Sequence, residues 1–203
     1  MAPQKSISPT PSLRDKHKNQ TRSALRDAAL RLFAKQGYDA TTIEEIAERA
    51  GVSTRTFFRY FPNKEDVLYH GQQDWVQTVI ETYPSQSASL GDLDAMRVTL
   101  EELAPELSKS RRSLTLYQRA VDSSPTLRGS ELDHQYESTE TLARAIATRR
   151  GLSDADEGAR LLAAVAMLTY RRALDNWLNQ SGSANLATVI TKEFKLLTEL
   201  MSA

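Results

Sequence analysis

Residues 41–68, TTIEEIAERAGVSTRTFFRYFPNKEDVL, carry the sequence features that decide the fold. Thr42 followed by Glu45 is a capping box, in which each side chain can bond the backbone N–H of the other residue at a helix start. The next apolar residues recur at i, i+3, i+4 and i+7, which predicts one buried helical stripe. Gly51 can adopt the left-handed conformation that ends this helix, and Ser53 can cap a second one.

The second helix, residues 54–60, is predicted to have two different faces. Phe57 and Phe61 can point into a core, whereas the outer face offers hydroxyls, guanidinium groups and aromatic rings with no acidic residue. Such groups suit contacts to phosphates and base edges. Two capped helices joined by a glycine turn are the layout of a helix-turn-helix that reads the major groove of DNA. The alternative is a small three-helix subdomain with a solvated basic face.

The pattern TT-x-EEIAERAGVS-x-RTFFRYFPNKEDVL resembles the DNA-binding signature of TetR-family transcriptional regulators. The resemblance implies an all-α fold, with an N-terminal three-helix helix-turn-helix DNA-binding domain and a C-terminal helical ligand-binding and dimerisation domain. It also implies a ligand-responsive repressor that binds a palindromic operator in double-stranded DNA as a homodimer and is released by a small, hydrophobic effector. An effector-independent DNA-binding regulator or activator is the alternative.

Matching positions of that signature imply roles for single residues. Thr42 is expected to hold a phosphate with its hydroxyl and backbone N–H, and Arg55 to contact guanine through O6 and N7. Phe58 stands where the family more often has tyrosine, so it keeps contact with a thymine methyl but lacks a hydroxyl; the alternative is a core position. Lys64 is expected to reach the DNA backbone. The predicted DNA-binding residues are Thr42, Ser53, Thr54, Arg55, Thr56, Phe58, Arg59, Tyr60 and Lys64.

Charge is divided unevenly along the chain, although the net charge is zero. Residues 1–64 hold five Lys and seven Arg against three Asp and three Glu, which gives +6, and the remainder carries the opposite charge. A basic head on an acidic body orients the molecule towards a polyanion and keeps the body away from the phosphates.

Several other classes of protein are disfavoured by composition. The chain has no cysteine and three scattered histidines, His17, His70 and His134, so neither a metal site nor a cofactor is expected. No nucleophile and base constellation is evident, which argues against an enzyme. The longest uncharged apolar run, residues 161–170, is far shorter than the ~20 residues that span a membrane. With no signal-peptide pattern, a cytoplasmic protein that does not bind membranes is expected.

The domain organisation follows from these patterns. We expect a flexible basic N-terminal arm over 1–17, the helix-turn-helix domain over 18–64, and the helical effector-binding and dimerisation domain over 65–203. The arm can follow the DNA backbone or a minor groove, or it can be a solvated tail. Pro105 is expected to kink or end its helix, and Ser153 to cap the next-to-last one. Beyond the helix-turn-helix pair, the predicted helices are 19–36, 64–83, 93–109, 113–122, 127–150, 154–179 and 185–200.

The last two helices predict an oligomer. The middle of helix 154–179, LLAAVAMLTY, is apolar around its whole circumference and must be covered on more than one side. A second copy of the chain is the expected cover, which would give a four-helix interface with twofold symmetry. The alternative is that both helices are purely intramolecular core. The predicted interface residues are Leu161, Val165, Leu168, Val189, Ile190, Phe194 and Leu197.

Polar and aromatic residues within the apolar helices of the body predict an effector pocket. For any single one, the alternative is a residue at the surface or at the edge of the core in a satisfied hydrogen bond. The stretch YRRALDNWLNQSG, residues 170–182, resembles a subgroup of the family expected to bind acyl-CoA-like or other bulky hydrophobic effectors. The mechanism that the family implies is movement of the fourth helix and respacing of the two DNA-binding heads. The predicted pocket residues are Tyr117, His134, Tyr136, Tyr170, Arg171 and Trp177.

Overall fold

The computed structural model describes residues 13–180 and 184–202, and all regular structure in these ranges is helical. The all-α prediction is therefore confirmed for the part of the chain that is described. A short 3-10 helix, Tyr83–Ser85, follows the fourth α-helix. The α-helices are α1 (Leu13–Gln36), α2 (Ile43–Arg49), α3 (Thr54–Tyr60), α4 (Asp66–Thr82), α5 (Asp92–Ser108), α6 (Arg111–Ser123), α7 (Pro125–Arg149), α8 (Glu157–Asn179) and α9 (Leu186–Met201).

The chain forms two compact units that divide between Val67 and Leu68. We call them the head and the body. Helix α4 is the covalent connection, because it begins in the head and continues through the first part of the body.

The head has its core between α1, α2 and α3. Helix α1 begins at Leu13, six residues before the predicted start, so residues 13–17 of the predicted arm are helical; residues 1–12 lie outside the described part. Gly37 and Gly51 end α1 and α2 with φ of 87° and 73°, which an L-residue adopts only with strain. The buried face of α1 contains Leu25, Ala28, Ala29, Leu32 and Phe33, as its periodicity predicts.

The body has its core between α5, α7, α8 and α9. Helix α9 packs against both α5 and α8, and α8 also packs against α7. The inward face of α8 is rich in alanine, which permits close approach of the neighbouring helices. These core positions are Ala159, Ala163, Ala166 and Ala173.

The starts of α4 and α8 also differ from the predictions, and Pro105 does not end α5. The Asn63 cap of α4 is formed, since its carboxamide oxygen accepts the Asp66 N–H at 3.0 Å, but regular α-helix begins at Asp66 rather than at residue 64. Helix α8 is capped by Asp156, whose carboxylate accepts the Ala159 N–H at 2.7 Å, and not by Ser153. Helix α5 continues past Pro105 to its last residue three positions later. A proline so close to the helix end removes few hydrogen bonds.

Candidate nucleic-acid interface and effector pocket

The capping box at the start of α2 is formed. The Glu45 N–H donates to the Thr42 hydroxyl at 3.2 Å, and the Thr42 N–H donates to the Glu45 carboxylate at 2.9 Å. Bonding from the Thr42 backbone and from the Gln36 amide lowers the pKa of Glu45. The structure therefore assigns the Thr42 N–H to Glu45, and the predicted phosphate contact through that N–H conflicts with it. The Thr42 hydroxyl hydrogen remains for a phosphate.

Helix α3 is held in place by its cap and its buried face, and its outer face is exposed. The Ser53 hydroxyl accepts the Thr56 N–H at 3.2 Å and lies 3.0 Å from the Thr56 hydroxyl. Phe57 is fully buried, whereas the neighbouring Phe58 is 52% exposed and contacts Phe57 edge-on at 5.7 Å between ring centres. Phe58 is thus a surface residue and not the core position that was the alternative. Arg55 and Arg59 are exposed on the same short helix.

Tyr60 lies among cations at the end of α3. The Arg59 guanidinium lies 5.0 Å from the centre of the Tyr60 ring and the Arg22 guanidinium 5.9 Å from it. Desolvation acts to raise the pKa of Tyr60, but hydrogen bonding to Arg59 and Thr21 and the two arginine charges lower it overall. These contacts orient the ring and concentrate positive charge beside it.

Lys64 has an internal role that the sequence did not predict. Its ammonium donates to the Tyr38 and Thr41 carbonyls at 2.7 and 2.8 Å and lies 4.1 Å from the centre of the Tyr38 ring. Desolvation lowers the pKa of Lys64, partly opposed by the Asp39 charge. Lys64 therefore ties the segment after α3 to the loop between α1 and α2. Its predicted contact with the DNA backbone would have to use the one remaining N–H.

In the body, two of the six predicted effector residues converge on a carboxylate that the sequence analysis missed. Glu131 on α7 is buried and accepts the Tyr117 hydroxyl and the Gln135 amide, the latter at 3.0 Å. The Arg171 guanidinium lies 3.5 Å from the same carboxylate. Burial raises the pKa of Glu131, although Gln135 and Arg171 oppose the shift.

His134 belongs to the same region through an aromatic contact. Its ring centre lies 3.8 Å from that of Tyr69, whose hydroxyl donates to the Leu127 carbonyl at 3.2 Å. Leu127, Glu131 and Gln135 follow each other at intervals of four residues along one face of α7. That periodicity was the available signal that Glu131 faces inward.

The remaining three predicted pocket residues have different environments. Tyr170 is buried in an apolar cavity of the body. Trp177 is core: its indole N–H donates to the Ala184 carbonyl at 2.8 Å, and the Arg111 guanidinium stacks on it at 4.8 Å. Tyr136 is 71% exposed, so its predicted place in a pocket is wrong for this structure. An isolated aromatic on a helix does not reveal by composition which face is covered.

The predicted dimer residues differ in how far they are buried within the protomer. Val189, Ile190 and Phe194 are buried inside the protomer, packed in the core with α5 and α8, so they are not available to a partner. Val165 and Leu197 are half-buried. Leu161 and Leu168 on α8 are 67% and 71% exposed. The exposed large apolar side chains of α8 and α9, which together we call the α8/α9 face, are Leu161, Leu168, Leu196, Leu200 and Met201.

No helix in the described ranges is both long and apolar enough to cross a bilayer.

Comparisons with known proteins agree with this architecture. The family model for bacterial regulatory proteins of the tetR family matches residues 25–69, and the model for the MftR C-terminal domain matches residues 94–202. The HTH-type transcriptional regulator TcmR of Streptomyces glaucescens is 33% identical over 174 residues, which are 82% of this chain and 77% of TcmR. The HTH-type transcriptional repressor KstR of Rhodococcus jostii (strain RHA1) is 25% identical over 183 residues, 90% of this chain and 82% of KstR.

Solved structures share the fold at lower identity. The fatty acid degradation regulator FadR of Bacillus halodurans has a TM-score of 0.60 at 22% identity, covering 87% of this chain and 94% of its own. FadR of Thermus thermophilus, a repressor solved in complex with lauroyl-CoA, has a TM-score of 0.56 at 23% identity, covering 88% and 93%. With both the head and the body matched, the chain belongs to the tetR family of bacterial regulatory proteins and is a helix-turn-helix regulator of transcription.

Proposed function

We propose that this chain is a ligand-responsive repressor that binds a palindromic operator as a homodimer and leaves it when a small effector enters the body. The observation that carries the proposal is the outer face of α3, where Arg55, Phe58 and Arg59 are exposed on a helix held by buried Phe57. Exposed guanidinium and aromatic groups on a fixed helix are suited to base edges and phosphates.

Direct readout is assigned to the first turn of α3. Thr54, Arg55 and Thr56 follow the Ser53 cap, so they occupy the end of the recognition helix that reaches base edges in this class of motif. Arg55 is the proposed guanine contact, because its fork of donors matches O6 and N7. Thr42, Arg59, Tyr60 and Lys64 are proposed to position the head on the phosphate backbone.

Dimerisation is proposed to use the α8/α9 face. Leucines that stay two-thirds exposed on two adjacent helices are costly in water, and burying each against a second copy is worth about 1.5–3 kcal/mol. A homodimer formed through this face would contain two copies of α3, as reading a palindrome requires.

The effector is proposed to act through α4. This helix lines the cavities of the body with Trp75 and Val76 and continues into the head. An effector that binds one position of α4 more tightly than another shifts the equilibrium between the DNA-binding and released states. The lauroyl-CoA complex of the Thermus thermophilus relative supports a small molecule as the signal. Because the proposed operator is chromosomal DNA, we propose a cytoplasmic location for the protein.

Selection of the full-length protein against random DNA duplexes tests the DNA-binding part. We expect enrichment of an inverted repeat whose half-sites are one helical turn, about 34–36 Å, or a multiple of it apart. Enrichment of a single unrepeated site, or of none, would contradict the proposal.

The dimer is tested with Leu168→Asp, matched by Leu132→Asp on α7, a leucine of similar exposure outside the α8/α9 face. We expect Leu168→Asp to produce monomers in analytical ultracentrifugation and Leu132→Asp to remain dimeric. The opposite pattern would assign the interface to α7.

A further inference from the structure

Tyr170 lines an apolar cavity of the body, and its hydroxyl has no hydrogen-bond partner among the described residues. The residue is only 5% exposed. Burial raises the pKa of Tyr170 well above its ordinary value, and a polar contact with the Trp75 indole N–H, which falls outside hydrogen-bond geometry, partly offsets the rise. A buried hydroxyl without a partner is destabilising, so its presence calls for an explanation outside packing.

The surroundings of this hydroxyl are otherwise apolar. The Trp75 ring lies nearly parallel to the Tyr170 ring, with 6.0 Å between their centres. The cavity is about 10 Å³, room for one water at most, and its other walls include the flexible side chains Met96 and Met167. The flexible thioethers can therefore provide part of the room that an apolar group needs.

A polar groove adjoins the cavity. It lies between α4 and α7, has a volume of about 220 Å³, and shares Val76 with the apolar cavity. Its wall residues carry mainly amides and hydroxyls. The Gln72 carboxamide oxygen in this wall lies 3.4 Å from the Tyr117 hydroxyl, whose proton is donated to Glu131, so Tyr117 connects the groove to that buried carboxylate. The wall is formed by Gln72, Gln73, Val76, Gln77, Ile80, His134, Glu137, Ser138 and Thr141.

The groove carries no permanent cation suited to an anionic ligand. Among the described residues that line it, none is Lys or Arg; its titratable groups are Glu137 and His134, whose Nδ1 lies 3.7 Å from the Glu137 carboxylate. The Arg171 guanidinium of the neighbouring cluster is already paired with Glu131. A phosphate or carboxylate placed here would lose its hydration without gaining an opposite charge. Glu131 in turn is satisfied by internal partners, so it does not call for a cationic ligand.

We infer that the cavity and the groove form one site for an uncharged amphipathic molecule. Its apolar body would lie between Trp75 and Tyr170, a carbonyl or ether oxygen would accept the Tyr170 hydroxyl, and its hydroxyl- or amide-bearing end would lie in the groove at Gln72. This inference rests on the proposed function. It narrows the class of effector to uncharged molecules and excludes effectors that carry phosphates.

Occupation of the site requires α4 to move. The two spaces together are smaller than the 300–1,000 Å³ of pockets that hold drug-sized ligands. Trp75 and Val76 lie on α4, whereas Tyr170 lies on α8 and His134 on α7. A ligand that separates these walls therefore displaces α4 from its neighbours in the body.

Ligands that share one apolar chain and differ in the charge of the head test the inference. Monodecanoylglycerol, decanoate, decanoyl-CoA and decyltrimethylammonium would be titrated calorimetrically into the full-length protein without DNA, at about pH 8, where the carboxylate is ionised. We expect monodecanoylglycerol to bind at least about tenfold more tightly than each of the charged ligands. Equal or tighter binding of decanoate, decanoyl-CoA or the ammonium would overturn the inference.

The contact itself is tested with Tyr170→Phe, which removes the hydroxyl and keeps the ring. We expect about three- to tenfold weaker binding of monodecanoylglycerol, the usual effect of one hydrogen bond. Tyr136→Phe, the same change at an exposed site, is the control and should bind as the wild type does. Unchanged affinity of Tyr170→Phe would refute the contact.

Release of a selected DNA duplex separates this inference from the proposed function. If monodecanoylglycerol binds as expected and leaves DNA binding unchanged, the ligand site is supported and the effector response fails. If decanoate or decanoyl-CoA releases the DNA and monodecanoylglycerol does not bind, the response is supported and the uncharged ligand is refuted.

Discussion

The head and the body keep their predicted functional groups in opposite environments. In the head, Phe58 and Arg55 are exposed on a helix whose position depends on buried Phe57 and the Ser53 cap. In the body, Tyr170 is buried with an unpaired hydroxyl, and Glu131 is buried with its partners. A surface that reads DNA must be exposed and rigid. Local helix caps and one buried aromatic ring are enough to hold such a helix in place. A ligand site that excludes water holds polar groups at a cost in stability.

The largest expected effect distinguishes the two adjacent phenylalanines of α3, Phe57 and Phe58. Phe57→Ala should lower the free energy of unfolding by about 3–5 kcal/mol, because it leaves a cavity in a small core. Phe58→Ala should change it by no more than about 0.5 kcal/mol, because its ring is mostly solvated. Urea denaturation followed by circular dichroism measures both. Similar losses for the two variants would mean that α3 has no distinct outer face.

In the body, removal of a functional group should increase the free energy of unfolding rather than decrease it. Tyr170→Phe should raise the free energy of unfolding by about 1–3 kcal/mol, since it deletes a buried hydroxyl that has no partner. Tyr136→Phe should leave stability unchanged. A loss of stability in the Tyr170→Phe protein would show that the hydroxyl is bonded in the native state.

The caps of the head are expected to have a smaller effect. Ser53→Ala should cost about 1 kcal/mol, because the Thr56 N–H loses its acceptor at the start of α3. Asn185→Ala is a matched change at the start of α9, where the Asn185 side chain accepts the Thr188 N–H. Thermal unfolding should show a loss of stability for both. A Ser53→Ala protein as stable as the wild type would show that the Ser53 cap does not stabilise α3.

The smallest effect concerns pH. Because burial raises the pKa of Glu131, the folded protein binds its proton more tightly than the unfolded chain does. That contribution to stability is present below about pH 4.5 and is lost as pH rises through the folded pKa. Glu131→Gln should flatten this decline when stability is measured by urea denaturation from acid to neutral pH. An unchanged pH profile would show that Glu131 titrates normally.

Local features of the sequence were predictable and long-range ones were not. Thr42, Glu45 and Ser53 form their caps within four residues, so spacing alone identified them. Lys64 bonds carbonyls more than 20 residues away in the chain, which no local pattern encodes. The apolar stripe containing Phe194 was correctly predicted to be buried, but periodicity does not say whether the same chain or a second copy covers it.

The polar residues of the body were predicted less well for the same reason. Tyr136 and Tyr170 are the same residue type on long helices, and one is exposed while the other is buried. The difference lies in which helix packs above each ring. Glu131 was passed over because carboxylates seldom lie on a buried face.

The most direct test of the central claim is the affinity of Arg55→Ala for the selected duplex and for duplexes with single base-pair changes, measured by fluorescence anisotropy. Arg49→Ala, which removes an exposed arginine of α2, is the charge-matched control. We expect Arg55→Ala to lose about 1–3 kcal/mol of binding free energy and to relax the preference at one base pair in each half-site. The control should retain its sequence specificity. Retention of full affinity and specificity by Arg55→Ala would contradict the assignment of α3 as the helix that reads DNA.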